Sequence, residues 1–306
     1  LCNNIGDHIH SIKEDRKMAK VAFIGLGIMG YPMAGHLAAH GHDVTVFNRS
    51  QARADAWCTA HHGRSMATPA AAAEDAEFVF TCVGNDNDLY QVTLEADGVL
   101  SSMRPETVLI DNTTCSADAA RKLYDAARQR NIHFLDAPVS GGQAGAENGK
   151  LTVMVGGDGK VFMRAEPVIA SFARSVAHMG PAGAGQLTKM VNQICIAGMV
   201  QALAEGLAFA ENVGLDGERV IDVISKGAAQ SWQMDHRGKT MLARKFDFGF
   251  AVDLMRKDLG ICLDEAKRSG SQLPVTSLVD QFYAEIQKAG AGKLDTSSLM
   301  LLVGRR

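Results

Sequence analysis

Short apolar runs alternate with amphipathic segments over the first half of the chain, and this rhythm stops near residue 180. Residues 21–24 form an apolar run ending on glycine, the pattern of a strand buried on both faces. Residues 29–40 predict the following helix, stopped by Gly41. The strand pattern returns at 44–47, 78–83, 108–110, 132–135 and 151–155. Thr68-Pro69 predicts an N-cap and first helical residue ahead of the alanine-rich 70–76, and Ser116 a cap for a helix running to Arg130. Strands alternating with helices predict a mainly parallel, doubly wound sheet.

After Gly180-Pro181, residues 186–212 are rich in Ala, Leu, Met and Ile and contain no proline. They predict a helix of roughly 40 Å at 1.5 Å per residue. Further helices are predicted at 216–226, 230–244, 252–269 and 274–289, and no strand. The expected fold class is therefore α/β. A Rossmann-type dinucleotide-binding domain over 18–180 is followed by an all-helical substrate and oligomerisation domain over 181–306, two units being ordinary for 306 residues. Residues 1–17 carry Asp7, Glu14 and Asp15 and no apolar segment, which fits neither a secretory signal nor an Arg-rich transit peptide. They read as a flexible extension.

Composition narrows the function classes. With 46% hydrophobic and 21% charged residues the chain is of the ordinary globular kind. A net charge of −3 without runs of one sign gives no footprint for nucleic acid, and none is expected as a partner. The longest apolar stretch, 194–204, is too short to cross a bilayer, so a soluble, cytoplasmic protein is expected. Six scattered cysteines without CxxC or His/Cys ligand spacing suggest free thiols in a reducing compartment and no metal site.

Gly25-Leu26-Gly27-Ile28-Met29-Gly30 is a GxGxxG loop that follows an apolar strand and opens a helix. In that setting Gly25 permits the tight turn, Gly27 lets the backbone approach a pyrophosphate, and Gly30 lets helix and strand pack closely. The helix N-terminus then offers N–H groups to the phosphates. At the end of the second strand stands Asn48-Arg49, with no acid for a ribose 2′-hydroxyl, though Asn48 can hydrogen-bond a hydroxyl or a phosphate of the cofactor. Arg49 suits a 2′-phosphate, which favours NADP(H) over NAD(H), unless it is simply a solvated loop residue.

Ser140-Gly141-Gly142 is either a flexible turn or a loop aiming N–H groups and a hydroxyl at a carboxylate. Lys189, Asn192 and Gln193 share a helical face at i, i+3 and i+4. Ahead of an uncharged apolar segment, Lys189 is either half buried, with a lowered pKa suited to proton transfer, or snorkels to solvent. Lys257 and Asp258 lie on a later helix, where charged residues usually form a solvated face.

Together these motifs resemble the β-hydroxyacid dehydrogenase family over about residues 19–300. The glycine loop with Pro32-Met33-Ala34 looks like its cofactor signature, Asp136 to Gly142 like its substrate signature, Gly183 to Gln193 like its catalytic signature, and Lys257-Asp258-Leu259 like its C-terminal motif. The resemblance implies reversible hydride transfer between NAD(P)H and a small β-hydroxyacid or its semialdehyde, such as 3-hydroxyisobutyrate or tartronate semialdehyde. Lys189 would be the acid/base and Asn192, with its neighbour Gln193, would hold substrate. Ser140, Gly141 and Gly142 would bind its carboxylate. Thr114 would lie near the nicotinamide riboside, Val83-Gly84 in the loop facing the cofactor, and Lys257 would close over it. Val83-Gly84 stands where relatives usually carry Leu-Pro, so the loop lacks proline's fixed φ. Gln193 replaces the second asparagine of a common Asn-Asn pair, as in tartronate semialdehyde reductases. A homodimer or homotetramer is implied. Imine or ketone reduction, and non-catalytic dinucleotide binding, are alternatives; Lys189 speaks against both.

Overall fold

The computed structural model describes residues 18–303; the expected extension over 1–17 lies outside them. Nine strands form one sheet: β1 (Lys20–Ile24), β2 (Asp43–Phe47), β3 (Arg64–Ser65), β4 (Phe78–Thr81), β5 (Val108–Asp111), β6 (His133–Asp136), β7 (Val139–Ser140), β8 (Leu151–Gly157) and β9 (Ala173–Gly180). The helices among and after them are α1 (Gly30–Ala39), α2 (Gln51–His61), α3 (Pro69–Ala73), α4 (Asp86–Leu94), α5 (Ala117–Arg128), α6 (Gly142–Glu147) and α7 (Gly159–Ile169). Then come α8 (Ala184–Asn212), α9 (Gly217–Ile224), α10 (Trp232–Leu242), α11 (Val252–Ser269), α12 (Pro274–Lys288) and α13 (Met300–Val303).

Strands β3-β2-β1-β4-β5-β6 lie side by side and parallel, as the alternation predicted. Beyond β6 the sheet departs from that pattern: β8 is antiparallel to β6 and to β7, and β9 pairs parallel with β8. On β1, Val21 and Phe23 enter the cluster that holds Met33, Leu37, Trp57, Phe80 and Phe172, while Ala22 and Ile24 enter the one that holds Val79, Leu109, Leu123 and Phe134. Both faces of the strand are thus buried, which is why it reads as a continuous apolar run. Phe23 and Phe80 stack with centroids 5.9 Å apart, and Phe172 meets Phe80 edge-on at 5.8 Å.

Helix starts follow the local chemistry. Thr68 accepts from Ala71 N with Pro69 first in α3, and Ser116 accepts from Ala119 N. The second half is helical, its only bridge among the described residues joining Ala251 to Asp295. α8 is its axis, with Leu207, Met241, Met255, Leu259, Val279 and Tyr283 in one cluster. As a 29-residue helix it is long and apolar enough to cross a membrane by length and composition, which the stretch 194–204 alone was not; half of its most apolar window is buried inside the protein.

Candidate active site

The glycine loop leaves β1 at its C-terminal end, where ligands of such sheets bind. Gly25 has φ +98°, and a Cβ there would lie 2.3 Å from Cys82 O. A Cβ on Gly30 would lie 2.0 Å from Gly25 O and 2.9 Å from the Phe23 ring. Gly27 differs: apart from itself and its chain neighbours nothing lies within 4 Å of where its Cβ would be, so the space its missing side chain leaves is open. No side chain caps α1 and no acid sits in its first turn, which leaves the positive end of its dipole for an anion. This cradle fits a dinucleotide pyrophosphate. Asn48 braces it, accepting from Leu26 N at 2.9 Å and donating to Ser50 O at 3.1 Å. Ile28 and Arg49 are exposed.

The next two loops are tied to each other. Val83 N donates to Thr113 Oγ1 at 3.1 Å, and Asp86 accepts from Ser116 N and Oγ. Asn85 caps α4 through Asp88 N. These bonds hold the Val83-Gly84 loop without a proline.

The start of α8 is seated on the sheet. Asp136, buried at the end of β6, accepts from Gly183 N at 2.7 Å and Gln186 N at 2.9 Å. Burial pushes its carboxyl pKa up, and these bonds oppose the rise. The seat is close: a Cβ on Gly185 would meet Met154 O at 2.4 Å, and one on Gly156 would meet Asp136 Oδ1 at the same distance. Gln186 bridges to β5's loop, accepting from Cys115 N and donating to Thr113 O.

Lys189 follows one turn later and is only 8% exposed. Burial pulls its pKa down from 10.5 to about 8, opposed by the Asp258 carboxylate and assisted by the Lys257 charge. Around it runs a chain of side-chain bonds. Ser140 Oγ donates to Asn192 Oδ1 (3.2 Å), Asn192 Nδ2 to Gln193 Oε1 (2.8 Å), and Gln193 Nε2 to Asp258 Oδ2 (2.6 Å). Lys257 Nζ lies 3.1 Å from Asp258 Oδ1 and donates to Thr114 O at 2.5 Å, tying α11 to the end of β5. Gly141 and Gly142, with φ +134° and +61°, carry the chain from Ser140 into α6 in conformations that favour glycine.

The fold thus brings Ser140, Asn192 and Gln193 into one bonded group beside Lys189, and joins Thr114 to Lys257. Asp258 is buried at 2% exposure, so the solvated-face expectation for it fails: its charge is compensated by Lys257 and Gln193. Asp136 and Gln186 fell within the substrate and catalytic signatures but were given no role from the sequence, although an acid closing a buried strand was a usable signal for the first. Among the described residues no cluster of three His, Cys, Asp or Glu could hold a metal ion. A 470 Å³ surface cavity lined by Arg128, His133, Lys160 and Arg164 lies at the opposite ends of the strands and has no part in this site.

The chain is similar to known proteins over most of its length. Residues 20–180 match the NAD-binding domain of 6-phosphogluconate dehydrogenase, and residues 183–303 match the NAD-binding domain of NADP-dependent 3-hydroxyisobutyrate dehydrogenase. The chain is 61% identical over 283 residues to an uncharacterized oxidoreductase of Shewanella frigidimarina, covering 92% of this chain and 97% of that one. It is 41% identical over 288 residues to probable 3-hydroxyisobutyrate dehydrogenase-like 1, mitochondrial, of Arabidopsis thaliana, covering 94% and 85%. The solved structure of Mycobacterium tuberculosis 3-hydroxyisobutyrate dehydrogenase with L-serine superposes with a TM-score of 0.83 at 32% identity, covering 94% of this chain and 99% of that one. The chain belongs to the β-hydroxyacid dehydrogenase family, NAD(P)-dependent oxidoreductases acting on CH–OH groups.

Proposed function

We propose that this protein interconverts a small β-hydroxyacid and its semialdehyde, with Lys189 as the acid/base. The observation that carries the reading is a buried lysine with a pKa near 8, on one helix face with Asn192 and Gln193 and next to the Ser140 loop. Near neutral pH such an amine exists in both forms, roughly a tenth of it neutral at pH 7. In the reducing direction it gives a proton to the carbonyl oxygen, and in the oxidising direction it takes one from the hydroxyl. Ser140, Gly141 and Gly142 hold the carboxylate, and Asn192, held in turn by Gln193, orients the remainder.

A bound nicotinamide supplies or receives the hydride. Gly25, Leu26, Gly27, Ile28, Met29 and Gly30 hold the pyrophosphate and Asn48 braces their loop. Val83, Gly84 and Thr114 flank the nicotinamide end, and Lys257 reaches across from α11. Exposed Arg49, with no acid beside it, supports NADP(H) as the preferred cofactor over NAD(H). Residues 18–180 and 181–306 act as the cofactor and helical domains of a soluble, cytoplasmic enzyme. Val191, Met199, Phe209, Val213 and Leu215, all exposed and apolar, support a homodimer or homotetramer built on the helical half.

The test is a panel of 3-hydroxyisobutyrate, tartronate semialdehyde, succinic semialdehyde, L-serine and sulfolactaldehyde with both cofactors, run on wild type and Lys189→Ala. Turnover of one or more acids, lost in the variant, is expected. No turnover with cofactor bound would instead mark a non-catalytic binding module, and activity that survives Lys189→Ala would point to imine or ketone reduction.

A further inference from the structure

The bonds from Ser140 to Asp258 run in one direction, and the carboxylate at the end sets it. An ionised Asp258 only accepts, so Gln193 must turn its NH₂ toward it and its carbonyl toward Asn192. Asn192 in turn gives its NH₂ to Gln193 and shows its carbonyl to Ser140. Asp258 is held on its other side by Lys257, itself donating to Thr114 O. The orientation of both amides, and of the Ser140 hydroxyl, is therefore dictated from α11. The length of Gln193 is what spans the gap: asparagine there would fall about 1.5 Å short, one carbon–carbon bond.

This polarity bears on what the site accepts. Ser140 owns a single proton, and in the ligand-free protein that proton is spent on Asn192. A carboxylate arriving at the Ser-Gly-Gly loop needs the same proton. Once Ser140 turns away, the half-buried Asn192 carbonyl lacks a donor, and a ligand that covers it without supplying one makes that costly. Asn192 cannot turn over to compensate, because its NH₂ is committed to Gln193.

We propose that Gln193 is a positioning residue, presetting Ser140 and Asn192 for a ligand that brings both a carboxylate and a hydroxyl, which enters by exchange. The carboxylate takes over the Ser140 proton, and the ligand's hydroxyl donates to Asn192 Oδ1 in its place until Lys189 takes that proton in the oxidising direction. The inference rests on the hydroxyacid reading of this site and adds a rule of selection: the acid lacking the hydroxyl satisfies only one end of the exchange.

Two measurements test it. Calorimetric titration compares 3-hydroxyisobutyrate with isobutyrate on the full chain; wild type should prefer the hydroxyacid by about tenfold or more, the scale of one unsatisfied acceptor. In Gln193→Met, or Gln193→Asn should the first not fold, Asn192 is free to turn and the preference should drop to about twofold. Equal binding of both acids by wild type, or an unchanged preference in the variants, overturns the exchange. The second measurement is a double-mutant cycle of Ser140→Ala and Gln193→Met read by melting temperature without any ligand. The two residues touch only through Asn192, so non-additive shifts are expected, and additive shifts overturn the chain whatever the acids do. Non-additive shifts in a protein that binds neither acid would uphold the chain and overturn the hydroxyacid reading alone.

Discussion

Replacing Lys189 with methionine should cut turnover steeply and make the protein more stable. The lysine is 8% exposed and its pKa falls from 10.5 to about 8. A depression of about 2.5 pH units, at 1.36 kcal/mol each, means that holding the charged form in the folded state costs about 3 kcal/mol. Because the folded pKa lies below the unfolded one, the cost is complete below pH 8, shrinks between pH 8 and 10.5, and is gone above. Methionine fills a similar volume without a charge, and Asp258 keeps Lys257 and Gln193 as partners. A gain of about 1–3 kcal/mol at pH 7 follows, a rise of several degrees in melting temperature for a chain of this size. Thermal unfolding of cofactor-free wild type and Lys189→Met, followed by circular dichroism at pH 7 and pH 9.5, measures the gap at both ends. Activity should fall by about 10²–10⁴, the usual scale of general acid/base catalysis. A variant less stable than wild type at pH 7, or a gap that stays constant as pH rises, would refute the argument that burial is what tunes this amine.

Three further outcomes are expected. Gly27→Ala should melt within about a degree of wild type yet bind NADPH at least about tenfold more weakly by fluorescence titration, whereas Gly30→Ala, facing Gly25 O at 2.0 Å, should lose more than about 2 kcal/mol by urea unfolding. Arg49→Ala should raise the KM for NADPH about tenfold and leave that for NADH within about twofold; equal effects on both would end the case for the 2′-phosphate. Asp136→Ala strands Gly183 N and Gln186 N and should cost about 3 kcal/mol or more in the same urea assay, while Asp136→Asn, keeping one acceptor, should cost less.

The features legible in the sequence are those decided locally. The β1 run, the glycine loop, the caps Thr68 and Ser116 and the four helices α9 to α12 all rest on periodicity or on a residue's own backbone chemistry, and each appears within a few positions of its predicted place. β9 did not show itself because it lies at the sheet's edge, with a mostly exposed face and no apolar run. α2 hid for a related reason: only Ala54 and Trp57 of its eleven residues are buried. α4 carried a readable signal, Asn85 before Asp86 and Asp88, at a helix start. For Lys189, spacing left burial and snorkelling open, because its depth depends on Asp136, fifty residues earlier, clamping the start of α8. The pairing of Gln193 with Asp258 joins positions 65 apart, and no local pattern announces such a bond.

Asp136 and the close contact of Gly185 with β8 make the first turns of α8 part of the sheet, so Lys189 rides with the strands that carry the glycine loop. Lys257, in contrast, stands on α11, which meets that body at several points: its amine on the carbonyl of Thr114, Asp258 on Gln193, and Cys262 Sγ on Met190 O. The two lysines therefore ride on different helices that the Gln193–Asp258 bond joins. A substitution at Lys257 would alter the hold of α11 on the sheet and leave the Asp136 clamp that seats the start of α8 in place.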